Sequence, residues 1–206
     1  MPWSRALRVS TLAGVFGSGM LAGVFATGTV VVGQKPAAAA QGNERAIEYV
    51  IAKDQIREQL YNYGRGLDRM DRALALSAYH ADATVGGVFT GTGAEWIDSA
   101  RRTLERETSS SHQMTNMLIK VNGDMAASET YFIVSQHAAA DSGAANAPHT
   151  SLVRGRYVDS WAKREGRWAI SHREIVVDFS TNDTTAAPNR SAGRRDKTDP
   201  SYKFYF

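Results

Sequence analysis

Residues 113–137, QMTNMLIKVNGDMAASETYFIVSQH, decide the fold. Gln113–Val121 is a strand-like run, Asn122-Gly123 is the favoured signal for a two-residue hairpin turn, and Ala126–His137 is the return strand. A second long hairpin follows, with Thr150–Arg164 and Arg167–Ser180 flanking Glu165-Gly166. Residues 138–149, rich in Ala, Gly, Asn and Pro, read as a mobile loop between the two. The second half of the chain is therefore an antiparallel meander.

Upstream of it the pattern is helical. In residues 44–68, Ile56, Leu60, Tyr63 and Leu67 recur on one helix face. Asp71 can cap a second helix over 72–81. Ala83–Thr90 reads as a short strand, broken by Gly91-Thr92-Gly93. A third helix over 94–107 carries Trp96, Ala100 and Leu104 on one side and the charged run Arg101 to Glu107 as a solvated face. Helices segregated to one side of an antiparallel sheet make an α+β fold. A curled sheet of this length wraps around the long first helix and leaves a deep apolar pocket that the other two helices close.

Charge and composition narrow the function. The 206 residues include 24 Lys plus Arg, 21 Asp plus Glu and no Cys. Disulfides, thiolate metal sites and a Cys nucleophile are excluded. Residues 1–40 hold Arg5, Arg8 and Lys35 and no acid, so residues 41–206 carry 21 basic and 21 acidic residues. The folded part is formally neutral, which removes most of the electrostatic case for nucleic acid. The first forty residues follow export order. A positive start is followed by an apolar run, Leu12 to Val32, and by Ala38-Ala39-Ala40 as a cleavage-like site. The expectation is a signal peptide over 1–40, a folded domain over 41–182 and an extended tail over 183–206. The protein is then periplasmic or secreted, with no stable membrane insertion after cleavage; the alternative is an uncleaved anchor holding the domain outside the cytoplasm.

Six stretches then carry a resemblance. They are Leu60-Tyr61-x-Tyr63 to Leu67-Asp68-x-x-Asp71, Tyr79-His80-Ala81-Asp82-Ala83-Thr84, and Ser111-His112-x-x-x-Asn116. Next are Gly123-Asp124-x-Ala126-x-Ser128-Glu129-Thr130-Tyr131 and Gly155-Arg156-Tyr157-x-Asp159. The last is Gly166-Arg167-Trp168-x-Ile170-x-His172-Arg173, with Asp178. In order and spacing over about residues 44–180 they resemble the SnoaL-like branch of the nuclear-transport-factor-2-like superfamily. The resemblance implies a cone-shaped α+β fold with a hydrophobic pocket. Members of the superfamily include scytalone dehydratase, hexachlorocyclohexane dehydrochlorinase, γ-formaldehyde lyases, polyketide cyclases and ketosteroid isomerase. In the first two, a His–Asp pair in the pocket removes a proton. The resemblance assigns that pair to His112 and Asp68.

The residue types suit the task. An unperturbed imidazole titrates near ~6.5 and can accept a proton near neutral pH. Strand alternation puts His112 on one face with Met114, Asn116 and Leu118. An ionised Asp68 bonded to one ring nitrogen would fix the tautomer and stabilise the imidazolium. The plainer readings are a capping His before a strand, helped by Ser109, Ser110 and Ser111, and an Asp paired with Arg65, Arg69 or Arg72. Tyr63 is a candidate acid or hydrogen-bond donor, or a partnered core Tyr. Arg156 either anchors a ligand oxygen or pairs with Glu129 or Asp159. One of His172 and Arg173 faces inward, and His172 is taken as the substrate-facing one. Phe89, Trp96, Tyr131 and Tyr157 line pocket or core.

The expected function is a lyase, free of cofactor and of metal, that dehydrates or deformylates a small hydrophobic aromatic substrate such as a lignin-derived dimer. The alternatives are a hydrophobic-ligand-binding or assembly module of the same fold, and an isomerase or cyclase of steroid or polyketide type. A homodimer or homotrimer is expected. The aromatic cluster Tyr202, Phe204, Tyr205 and Phe206 either docks on a neighbour, covers the pocket or belongs to an unstructured basic tail.

Overall fold

The computed structural model describes residues 37–138, 148–184 and 194–203. Residues 1–36 of the expected export segment, most of the 138–149 loop, and Phe204, Tyr205 and Phe206 lie outside the described residues.

The first helix, α1, spans Ala37–Asp68 and contains the expected 44–68 segment. Its buried face is the predicted one, extended by one turn: Ala52, Ile56, Leu60, Tyr63 and Leu67 are all enclosed. These residues recur every three or four positions, which keeps them on one stripe of a 3.6-residue helix. Residues 41–51 are exposed, so only the second half of α1 lies in the sheet.

The second helix is shorter than its sequence suggests. Asp71 caps α2, Arg72–Ser77, by accepting the Leu74 N–H. Residues 79–81 leave the helix and begin strand β1, Tyr79–Gly87. They do so because Tyr79 pairs with Ile170 in the sheet, and that pairing overrides local propensity. The two residues Gly91–Thr92 make a short strand, β2, against β1. Thr92 also opens the third helix, α3, Gly93–Leu104, through a capping box with Glu95.

Strands β3 (Ser109–Asn122), β4 (Met125–Ala138), β5 (His149–Arg164) and β6 (Arg167–Asp183) follow. The sheet order is β2-β1-β6-β5-β4-β3. Every neighbouring pair is antiparallel except β1 and β6, which run parallel. The sheet curls around α1 without closing, and α2 and α3 complete an α+β cone. Both hairpins form. The β5–β6 turn is Glu165-Gly166 with positive φ at both residues (53° and 80°), the type I′ requirement. The β3–β4 turn is one residue later than the sequence signal implied. Asn122 pairs with Met125, so Gly123-Asp124 form the loop, with positive φ at Gly123 alone.

Beside an irregularity in β1 between Tyr79 and Thr84, bulges in β3 and β6 shift the side-chain alternation, and they decide which residues of those strands face inward. In β3, Thr115 and Asn116 together oppose Tyr131. Beyond them Met117 and Ile119 point inward, while Leu118 is 61% exposed. The expected shared face of His112, Met114, Asn116 and Leu118 therefore ends at Met114. In β6, Ser171 is extra between Ile170 and His172, so Ile170 and Arg173 both point inward and His172 points out. Asp178 is extra between Val177 and Phe179.

Candidate active site

The site lies where the end of α1 meets the start of β3. Asp68 is the last residue of α1 and His112 is the fourth of β3. The close approach depends on Gly64, one turn before Asp68. A Cβ there would stand 3.2 Å from the Cβ of His112 and 3.1 Å from Met114 Cε, tighter than ordinary packing allows. The bare glycine lets the helix come within reach of the strand.

Asp68 accepts three hydrogen bonds. Oδ1 lies 2.6 Å from His112 Nδ1 and takes the Ser110 hydroxyl at 2.9 Å, and Oδ2 takes the His112 backbone N–H at 2.8 Å. Both side chains are largely enclosed, at 13% and 5% exposure for Asp68 and His112. Burial alone would raise the Asp68 pKa. The hydrogen bonds and charge of His112, with the Ser110 hydroxyl, outweigh it and hold the carboxyl below its ordinary value. Asp68 is therefore an anion, and Nδ1 must carry the proton between them. Nε2 makes no hydrogen bond among the described residues. Asp71, not Asp68, does the capping, which leaves Asp68 for His112.

His112 lines an apolar cavity of about 180 Å³. Trp96, Leu104, Phe132, Tyr157 and Ile175 form much of its wall, and Phe132 stacks on Tyr157 with ring centres 4.3 Å apart. Besides His112, Trp96 and Tyr157, the lining residues with polar side chains are Ser99, Thr103 and Gln136.

Behind this wall sits a second buried polar group. Arg173 binds Asp159 through two bonds, of 2.7 and 2.9 Å, and both side chains are fully enclosed. Its guanidinium lies 4.1 Å from the Tyr157 ring centre and 4.4 Å from that of Tyr63, and it donates to the Tyr79 hydroxyl at 3.1 Å. Burial works against the charge on Arg173, but Asp159 and the ring of phenols keep it well above its ordinary range. Burial also pushes Tyr79 and Tyr157 well above the usual phenol value, so both stay neutral.

The expected site residues divide accordingly. Asp68, His112, Trp96 and Tyr157 meet at the cavity. Tyr63 is wholly buried behind it, accepts the Trp96 indole N–H at 3.0 Å and hydrogen-bonds Tyr157. Phe89 packs on Trp96, with ring centres 5.5 Å apart, and does not reach the cavity lining. Three residues expected at the ligand lie elsewhere. Arg156 is on the outer face of the sheet, bonded to Asp178 at 3.0 and 3.1 Å and to Glu129 at 3.4 Å. Tyr131, its cross-strand partner, is 44% exposed on the same face. His172 is turned outward by the Ser171 bulge and bonds Thr84 Oγ1 at 2.7 Å. Arg156 and Tyr131 alternate with the inward Tyr157 and Phe132, so period 2 already separates them. Sequence reasoning missed Gly64, Phe132, Val134 and Gln136. The alternation of Phe132, Val134 and Gln136 on one strand face was the available signal. Among the described residues, no three His, Cys, Asp or Glu side chains gather as a metal site, and no helix is long and apolar enough to cross a membrane.

With this geometry in hand, the comparisons with known proteins are specific about fold. The model of the SnoaL-like domain matches residues 48–174. No curated protein sequence matches significantly. Among solved structures, a protein assigned as a scytalone dehydratase from Novosphingobium aromaticivorans superposes with a TM-score of 0.56 at 18% identity, covering 68% of this chain and 93% of that one. A hexachlorocyclohexane dehydrochlorinase, LinA Type2, gives 0.58 at 16% identity, covering 68% and 97%. The LinA-type3 dehydrochlorinase from Novosphingobium barchaimii gives 0.58 at 16%, covering 69% and 97%. At these identities the likeness is one of fold.

Proposed function

Because the chain belongs to the SnoaL-like domain family and has that family's cone fold, we propose that it is a lyase that works by proton abstraction, with His112 as the base. One observation carries the reading: an imidazole whose Nδ1 is held 2.6 Å from an anionic Asp68 while its ring lines an apolar cavity. The anion fixes the neutral ring with its proton on Nδ1, so the lone pair is on Nε2, the nitrogen without a partner. In the proposed step Nε2 takes a proton from a substrate carbon. The C–H electron pair becomes a C=C bond, and the leaving group on the neighbouring carbon departs with its own bonding pair. The imidazolium is stabilised by Asp68 and returns the proton to a departing hydroxide, releasing water. Dehydration balances in this way with no other reactant.

The cavity also speaks to the substrate. Among the described residues its lining offers no Asp, Glu, Lys or Arg side chain, which suits a neutral molecule. Its volume is below the roughly 300–1,000 Å³ of pockets for drug-sized ligands, so we favour a one-ring aromatic or alicyclic alcohol over a lignin-derived dimer. Deformylation and isomerisation would begin with the same proton transfer and rank below dehydration. The proposal includes an exported setting and a homodimer or homotrimer. Sedimentation and N-terminal sequencing of the exported protein test those parts.

The direct test is turnover, or solvent deuterium exchange, over a panel of aryl alcohols, with His112→Ala as the comparison. The expected loss is about 10²–10⁴-fold. Equal activity in His112→Ala rejects the base. Saturable binding of an aromatic ligand with no exchange and no turnover would favour a hydrophobic-ligand-binding module.

A further inference from the structure

The C-terminal segment 194–203 is far from the site in sequence but lies on both elements that form it. Arg195 donates through Nη1 to the carbonyls of Leu104, at 2.5 Å, and Glu107, which end α3 and lead into β3. Its Nη2 lies 3.2 Å from Met70 Sδ, two residues past Asp68. The rest of the segment is fixed to the last turn of α1. Asp199 is buried, accepts the backbone N–H groups of Arg194 and Ser201 at 2.8 and 3.0 Å, and faces Arg69 Nε at 3.4 Å. Arg65 Nη1 donates to Ser201 Oγ at 3.1 Å, and its guanidinium lies 4.7 Å from the Tyr202 ring centre. The Tyr202 hydroxyl reaches Asp71 at 3.4 Å. Arg65, Asp68, Arg69 and His112 line one polar cleft on the far side of the pair, so the segment holds two of that cleft's walls.

We propose that Arg195 is a positioning residue, which ties the end of α1 to the start of β3 and so keeps Asp68 and His112 in register. A carboxylate–imidazole pair built across two separate elements slackens whenever those elements shift, and a misplacement of about 1 Å costs a catalytic group much of its effect. Arg195 bridges the stretch just after α1, at Met70, and the stretch that leads into β3, at Leu104 and Glu107. Its charge adds to the effect: it attracts the carboxylates of Asp68 and Glu107 and is opposed by Arg69. The other charged groups facing this corner are Arg65, Asp71, Asp199 and His149, the last 3.7 Å from Glu107.

The inference rests on His112 being the base, and its test reads the pair directly, without substrate. Full-length protein with ¹⁵N-labelled histidine would be compared by NMR as wild type, Arg195→Gln, Arg195→Lys and Asp199→Asn. We expect Arg195→Gln to loosen the pair. Exchange of the Nδ1 proton with solvent should quicken about tenfold, with partial recovery in Arg195→Lys. Asp199→Asn, which loosens the segment and keeps Arg195, should quicken exchange in the same direction. If Arg195→Gln does not fold, Asp199→Asn decides alone. Folded variants whose His112 Nδ1 proton exchange overlays the wild type overturn the proposal. A normal brace effect in a protein that turns over no substrate would instead reject the lyase reading and leave the brace standing.

Discussion

Two aspartates inside this cone each hold a nitrogenous side chain, and only one of those side chains borders the apolar cavity. Asp159 and Arg173 face each other across β5 and β6 with no exposed surface, and three tyrosines enclose the guanidinium. Arg173 keeps its charge at any ordinary pH, and its contacts are all internal. Asp68 and His112 are almost as buried, but among the described residues one His112 nitrogen has no partner, and His112 lines a cavity. Pairing and burial are common to both. A titratable partner with one free face is what separates a site from a structural tie.

Variants that break one partner of each pair should sharpen the contrast. The largest expected effect is on the enclosed pair. Arg173→Leu leaves Asp159 without its cation in the core, and a buried pair broken in this way costs about 3–5 kcal/mol. Urea unfolding should show it as a midpoint shift; a midpoint within error of wild type would mean that water or a neighbour compensates. Asp68→Asn should act the other way round. Turnover falls about 10²–10⁴-fold, because the amide no longer fixes the base, while the unfolding midpoint moves less than in Arg173→Leu. A variant as unstable as Arg173→Leu would make Asp68 a structural residue first.

The third effect is one of pH. Asp68 has its folded pKa below the unfolded value, so folding favours its ionised form. Its contribution is complete above the ordinary carboxylate pKa of ~3.9 and is lost as pH falls through the lower folded value. The stability difference between wild type and Asp68→Asn should therefore narrow on going from neutral pH to about pH 2–3. A difference that widens on acidification contradicts the direction.

Much of this was legible from residues alone, for definite reasons. The buried stripe of α1 follows from spacing, and the hairpins follow from Gly123 and Glu165-Gly166. The antiparallel meander follows from the alternation of its strands. His112 and Asp68 came from the resemblance, since nothing local distinguishes a pocket His from a capping one. What escaped were the effects of single extra residues. The bulges at Thr115-Asn116 and Ser171 reverse the inward face in mid-strand. No motif marks them; they are set by how the curled strands fit their partners. The outward turn of His172 and the burial of Arg173 are one event, a bulge immediately before them. The turn of β3 into β4 was misplaced by one residue because Asn-Gly can sit in either register, and the pairing of Asn122 with Met125 decides it.

The smallest expected effect tests the division between the two faces of the sheet. Arg156 pairs with Asp178 and Glu129 on the outer face, and those carboxylates hold its guanidinium above its ordinary range. Exposed pairs of this kind are screened by solvent and salt and contribute little. Arg156→Gln should therefore lower Tm by no more than about 2 °C at low salt, and the difference should fade at ~1 M salt. kcat and KM should match the wild type, since Tyr157 next to it, not Arg156, lines the cavity. A KM raised tenfold or more in a normally folded Arg156→Gln would show that the outer face takes part in binding. The cavity would then not be the whole site, and the enclosed and open pairs would no longer divide structure from function by the side of the sheet on which they lie.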